Sequence, residues 1–132
     1  MKSKKQNITT AQDFETFKKE CERWIAFFGL YEYEIYYEHK DNKNSLASTC
    51  VSENVSDKCC LVSLSKNWKD LEINDLAVRK TAFHEICEIL LWEIGDKLAI
   101  VGYNIERLLT HQLIRRLENS VFKELQQLHK ST

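Results

Sequence analysis

His84, Glu85 and Glu88 are the residues of this chain whose types and spacing best suit chemistry. They lie in the run His84-Glu85-Ile86-Cys87-Glu88, inside an apolar helical pattern from Leu76 to Leu98. Residues four apart share one face of a helix. His84 and Glu88 can therefore aim at a single divalent ion, with Glu85 rotated about 100° to one side. An imidazole and a carboxylate suit Zn2+, and a carboxylate left free beside them suits proton transfer. On a helical wheel Ala82, Phe83, Ile86, Cys87, Ile89, Leu90, Leu91 and Ile94 cover most of the circumference. Thr81, His84, Glu85 and Glu88 fill the remaining wedge. A helix this apolar is expected to be largely buried, and unpaired buried charge is costly. A metal would meet that cost. The alternative is a strip that simply faces water.

A hydrolytic zinc site needs about three protein ligands and one open position. The missing ligand should then be a histidine, and His39, His111 and His129 are the candidates. His39 closes a predicted strand, and His129 is near the end of the chain. His111 lies on the next predicted helix, after a connection that can fold it back, and is the best placed. Alone it would read as an exposed histidine of an amphipathic helix. Arg115, one turn further on, suits either neutralising Glu118 or polarising a substrate carbonyl.

The elements that position these residues are legible in the periodicity. Thr10 and Asp13 form a helix start related to the capping box. Phe14, Phe17, Cys21, Trp24, Ile25 and Phe28 follow at helical spacing, and Gly29 is placed to stop them. Tyr33–His39, Leu46–Val51 and Cys59–Ser65 read as strands, linked by Asp41–Asn44 and by the polar run Ser52–Lys58. Short polar links favour an antiparallel meander. Asn74 is the expected cap of the helix bearing the motif, which should end near Gly95. Gly102-Tyr103-Asn104 makes the next break. A last long helix carries Ile105, Leu108, Leu109, Leu113, Leu117, Val121, Leu125 and Leu128.

With 132 residues the chain fits a single domain, 1–132, with 1–9 expected as a disordered tail. The formal net charge of -1 argues against a nucleic-acid or membrane-surface binder. No stretch approaches the roughly 18 apolar residues of a membrane span. No apolar signal-peptide core follows Lys2, Lys4 and Lys5, so a cytoplasmic location is expected. The five cysteines are an odd number without C-x-x-C spacing, which favours reduced, mostly buried thiols over a disulfide frame or a cysteine zinc site. Nothing in the sequence sets the oligomeric state.

The segment Thr81-Ala82-Phe83-His84-Glu85-Ile86-Cys87-Glu88-Ile89-Leu90-Leu91 resembles the active-site helix of the zincin metallopeptidases, whose motif is H-E-x-x-H. Size and element order are similar to the small zincin-like proteins of phages and prophages, and more distantly to SprT-like domains. The run His111-Gln112-Leu113-Ile114-Arg115-Arg116-Leu117-Glu118-Asn119 is similar to a second motif of those small proteins. The likeness in layout covers most of the chain from Trp24 onward. It implies His84 as first ligand and Glu85 as general base, with Glu88 standing where the second histidine would be. A carboxylate there lowers the positive charge of the site, weakens it as a Lewis acid and makes Mn2+ an alternative to Zn2+.

The expectation is an α+β, zincin-like domain: one N-terminal helix, a three-stranded antiparallel sheet, then two long helices carrying a metal at His84, Glu88 and His111. Its activity would be hydrolysis of a peptide or protein by a metal-activated water, with Glu85 as base and Arg115 as electrophilic aid. The alternative is a catalytically inactive interaction protein of phage origin on the same scaffold. A third reading is a protein without metal whose charged strip is solvated.

Overall fold

A computed structural model of the chain describes residues 6–52, 58–92 and 105–130, with backbone alone for 105–109 and 127–130. The fold is α+β. The first helix, α1, spans Ala11–Phe28. Its start is a full reciprocal capping box: the Asp13 N–H donates to Thr10 Oγ1 at 3.1 Å, and the Thr10 N–H donates to Asp13 Oδ2 at 2.8 Å. Aspartate thus does the work of the usual glutamate. Gly29 ends the helix with φ 70°, in the left-handed region that favours glycine. Phe17, Cys21 and Trp24 are the buried apolar face of α1.

Three strands follow: β1 (Glu34–Lys40), β2 (Ala47–Val51) and β3 (Cys59–Ser65). The sheet order is β1-β3-β2, with β1 parallel to β3 and β2 antiparallel to it. The antiparallel meander expected from the short links is therefore wrong, and the sheet is mixed. The reason is burial. Cys60, Val62, Ser63, Leu64 and Ser65 of β3 are all buried, so this strand is covered on both faces and takes the middle. In β1, Glu34, Tyr36 and Lys40 are exposed in alternation, which suits an edge. The link after β1 crosses the end of β3, where the Asn42 N–H donates to Ser65 Oγ at 3.1 Å.

Residues 7–9 of the expected tail are built into the fold. Residues 1–5 lie outside the described residues, but Ile8 bridges Asn67 and Thr9 is buried. The Thr9 N–H donates to Lys66 O at 2.8 Å, and its hydroxyl donates to Ser65 O at 2.7 Å. That hydroxyl proton being committed, His39 Nε2 donates to Thr9 Oγ1, at 2.8 Å. His39 also stacks on Phe14, with centroids 4.9 Å apart. Burial first, and Lys66 second, push its pKa down.

The second helix, α2, spans Asp75–Leu90, with the Ala77 N–H donating to Asn74 Oδ1 at 2.8 Å. α2 ends at Leu90, with Leu91 as its C-cap, short of the stop expected near Gly95; the break expected at 102–104 lies outside the described residues. The last helical stretch is α3 (Ile105–Leu117), a π-turn (Glu118–Phe122) and α4 (Lys123–Lys130). A plain α-helix carrying its stripe on Leu113 was expected. Leu117, Val121 and Leu125 of that stripe are half-buried against the core, but Leu113 is exposed, and Ile114, Phe122 and Gln126 are the buried residues. Four residues turn an α-helix about 400°, so an i, i+4 row drifts about 40° per step. The wider π-turn takes that drift back and keeps Ile114, Phe122 and Gln126 on one side. Among the described residues, no helix is long and apolar enough to cross a membrane.

If residues 6–9 are built into the fold, Thr9→Val should destabilise the protein by about 1–3 kcal/mol, because the Ser65 carbonyl and the half-buried His39 ring lose their bonds. Urea unfolding of the metal-free protein measures this. An unchanged midpoint would mean that the segment is not anchored.

Candidate metal centre

α2 is capped by Asn74 and packed on α1, with Phe83 against Trp24 and Phe28; Phe83, Ile86 and Val78 are all buried. Its remaining strip carries Ala77, Thr81, His84, Glu85 and Glu88, and together with β2 it walls a cleft of about 710 Å³. His111 and Glu118 close the other side of that cleft.

His84 Nε2 stands 3.5 Å from Glu88 Oε1, and His111 Nε2 stands 3.7 Å from the same oxygen. The three potential ligand atoms of His84, Glu88 and His111 all lie within 4.8 Å of one another. Tetrahedral ligands at 2.0–2.1 Å from Zn2+ are separated by about 3.4 Å. The observed spacing therefore fits one small divalent ion after a modest inward movement. Two imidazoles and one carboxylate are borderline donors that suit Zn2+, and the oxygen also admits Mn2+.

Glu118, for which the sequence suggested Arg115 as one possible partner, faces His84 instead. Its Oε2 lies 3.6 Å from His84 Nδ1, on the side of the ring away from Glu88. A carboxylate behind a ligand histidine fixes its orientation and makes it a better donor. The two carboxylates also govern its charge: Glu118 first and Glu88 second push the His84 pKa up to about 10, against the effect of burial. The signal in the sequence was the placing of Glu118 on the His111 side of its helix. Arg115 is exposed and is not in the cleft lining. Its neighbour Ile114 takes the inward position. The structure does not bring Arg115 to the cluster.

Glu85 lines the cleft and is only 5% exposed. Thr49 Oγ1 donates to Glu85 Oε1 at 2.8 Å, tying β2 to α2. Burial first, and the Glu88 charge second, hold the Glu85 carboxyl above the usual carboxylate range. That direction suits a group that must take up a proton. Of the cysteines, Cys21, Cys60 and Cys87 are buried, Cys59 is half-buried and Cys50 is exposed. None belongs to the cluster of potential ligands. The His129 side chain lies outside the described residues.

Comparison of the chain with protein-family models, with curated proteins and with solved structures finds no match in any of the three.

Two outcomes follow from this geometry. Glu118→Gln should weaken Zn2+ binding about 10- to 100-fold while leaving the fold intact, read by competition with a chromophoric chelator. Wild-type affinity in that variant would remove Glu118 from the site. The second concerns the metal-free protein. The fold raises the His84 pKa above the unfolded value of about 6.5. Its contribution to stability is therefore complete below about pH 6.5 and is lost as pH rises through about 10. The melting-temperature difference between wild type and His84→Gln should shrink over that interval. A difference that stays constant would contradict the ion pairs.

Proposed function

We propose that this protein is a metal-dependent peptide hydrolase built on a zincin-like scaffold. The observation that carries the reading is the convergence of His84, Glu88 and His111 from two helices on one point in the cleft. Zn2+, or Mn2+ in its place, would supply a Lewis acid and make water a stronger nucleophile near neutral pH. The work of the chain is to hold, orient and move protons. His84, Glu88 and His111 would hold the ion. Glu118 turns the His84 ring so that Nε2 faces inward. Glu85, one residue past His84, takes the proton of the attacking water and returns it to the leaving amine. The Thr49 hydroxyl steadies the Glu85 carboxyl during that exchange.

A peptide is the favoured substrate because a strand edge borders the cleft. The Ser65 N–H donates to Leu46 O, and the Ser52 N–H donates to Cys59 O, each at 2.8 Å. In an antiparallel ladder such bonded pairs alternate, so the backbone groups of Ala47 and Thr49 face away from β3. Ala47, Ser48 and Thr49 all line the cleft, although they alternate between the two faces of the sheet. The strand thus meets the cleft with its edge, where an extended peptide can add as a further strand.

Glu85→Gln keeps the shape of the side chain and removes its basicity. The zinc-loaded variant should retain its metal and lose about 10²- to 10⁴-fold in peptide hydrolysis. Loss of the metal would make Glu85 a ligand instead. Equal inertness of the zinc-loaded wild type and variant on a broad peptide library would favour an interaction protein on the same scaffold.

A further inference from the structure

We propose that Lys80 is a specificity residue that reads a carboxylate on the C-terminal side of the cleaved bond; this rests on the peptide-hydrolase reading above. Among the described residues lining the cleft, Lys80 is the one lysine or arginine. It is exposed, and no hydrogen bond or ion pair occupies its ammonium among the described residues. Three of the four acidic lining residues, Glu85, Glu88 and Glu118, sit with the histidine cluster, at the other end. Glu72, which precedes α2, also lines the cleft but makes no ion pair with Lys80.

The cleft has two ends, and the fold fixes their order. Ala47 at the start of β2 is opposite Leu64 of β3, whose chain leads on to Trp68 and then to the start of α2. Thr49, further along β2, reaches Glu85. β2 therefore runs in the same sense as α2, from the Lys80 end toward the histidine end. A peptide added antiparallel to β2 runs the opposite way. Its N-terminal part lies by His84 and Glu85, and its C-terminal part passes Thr81, Lys80 and Ala77. Antiparallel pairing is the more stable of the two choices per residue.

The distances agree with a short stretch of substrate. From His84 back to Ala77 is about 10 Å of helix, room for about three extended residues. Lys80 is one turn from His84, about 6 Å along the axis, level with the second residue past the cleaved bond. Leu46, Trp68 and Leu71 give the same arm an apolar wall. An ammonium at this point pairs with a carboxylate, either the free C-terminus of a short leaving fragment or an acidic side chain two residues past the bond. An exposed lysine stem also leaves the cation free to follow either position.

The test uses the zinc-loaded full chain and matched peptides. One pair differs only in a C-terminal acid or amide two residues past the cleaved bond. The other differs only in Glu or Gln there, within a longer peptide. Wild type should prefer one of the carboxylate-bearing members roughly fivefold in kcat/KM, the scale of an exposed ion pair. The pair showing that preference identifies the source. Lys80→Met should bring the ratio to unity, and Lys80→Glu should invert it. Wild-type hydrolysis with no preference in either pair would overturn the role of Lys80 alone. So would a preference that survives both substitutions. No hydrolysis of any of the peptides would overturn the hydrolase reading and this one with it.

Discussion

The site depends on an aromatic contact rather than on its own polar groups. Trp24 of α1 packs edge-on against Phe83 of α2, with ring centroids 4.6 Å apart. Phe83 meets Phe122 at the end of the π-turn, at 5.2 Å. Phe83 is the residue before His84, and Phe122 is four residues after Glu118. Closing the aromatic triangle therefore sets His84 opposite Glu118. Burial of three large rings makes this a strong constraint, since removing one such ring typically costs about 3–5 kcal/mol. A buried polar latch completes it: Trp24 Nε1 donates to Glu20 Oε1 at 3.0 Å, and Gln126 Nε2 donates to the same oxygen at 3.5 Å. α1, which does not line the cleft, thus holds α2 and the π-turn and α4 that continue α3.

The π-turn is the second requirement. A continuous α-helix would let the row through Ile114, Glu118, Phe122 and Gln126 drift around the axis. With the wider turn at Glu118–Phe122, Phe122 stays in the core while Glu118 stays against His84. Such turns are frequent at functional sites because they re-aim a few side chains without ending the helix. Here the re-aimed side chain is the carboxylate behind a candidate ligand.

What the sequence disclosed follows the range of each signal. The caps of α1 and α2 were legible because Thr10, Asp13, Gly29 and Asn74 act on backbone groups within three or four residues. The pairing of His84 with Glu88 was legible for the same reason. Counting left three histidines, and His111 was chosen among them because it lies on the next helix, after a connection that can fold it back against α2. Strand order was not legible, because it is decided by which strand is covered on both faces, a property of the whole fold. The anchoring of Thr9 by Ser65 and Lys66 joins residues far apart in the chain and left no local mark. The phase of the last helix failed at Leu113, which is exposed while its neighbour Ile114 is buried, because adjacent apolar residues leave the choice to packing; the π-turn further on has no reliable signature in apolar spacing. Glu118 and Arg115 were seen as neighbours, but which of them faces inward depended on that phase.

The central claim is that two histidines on separate helices and one carboxylate hold a single ion. X-ray absorption at the zinc edge of the loaded protein tests it most directly. The account predicts one bound Zn2+ with a first shell of nitrogen and oxygen at about 2.0–2.2 Å. Outer-shell scattering should correspond to two imidazole rings. A sulfur shell near 2.3 Å, a single imidazole or no bound zinc would contradict it.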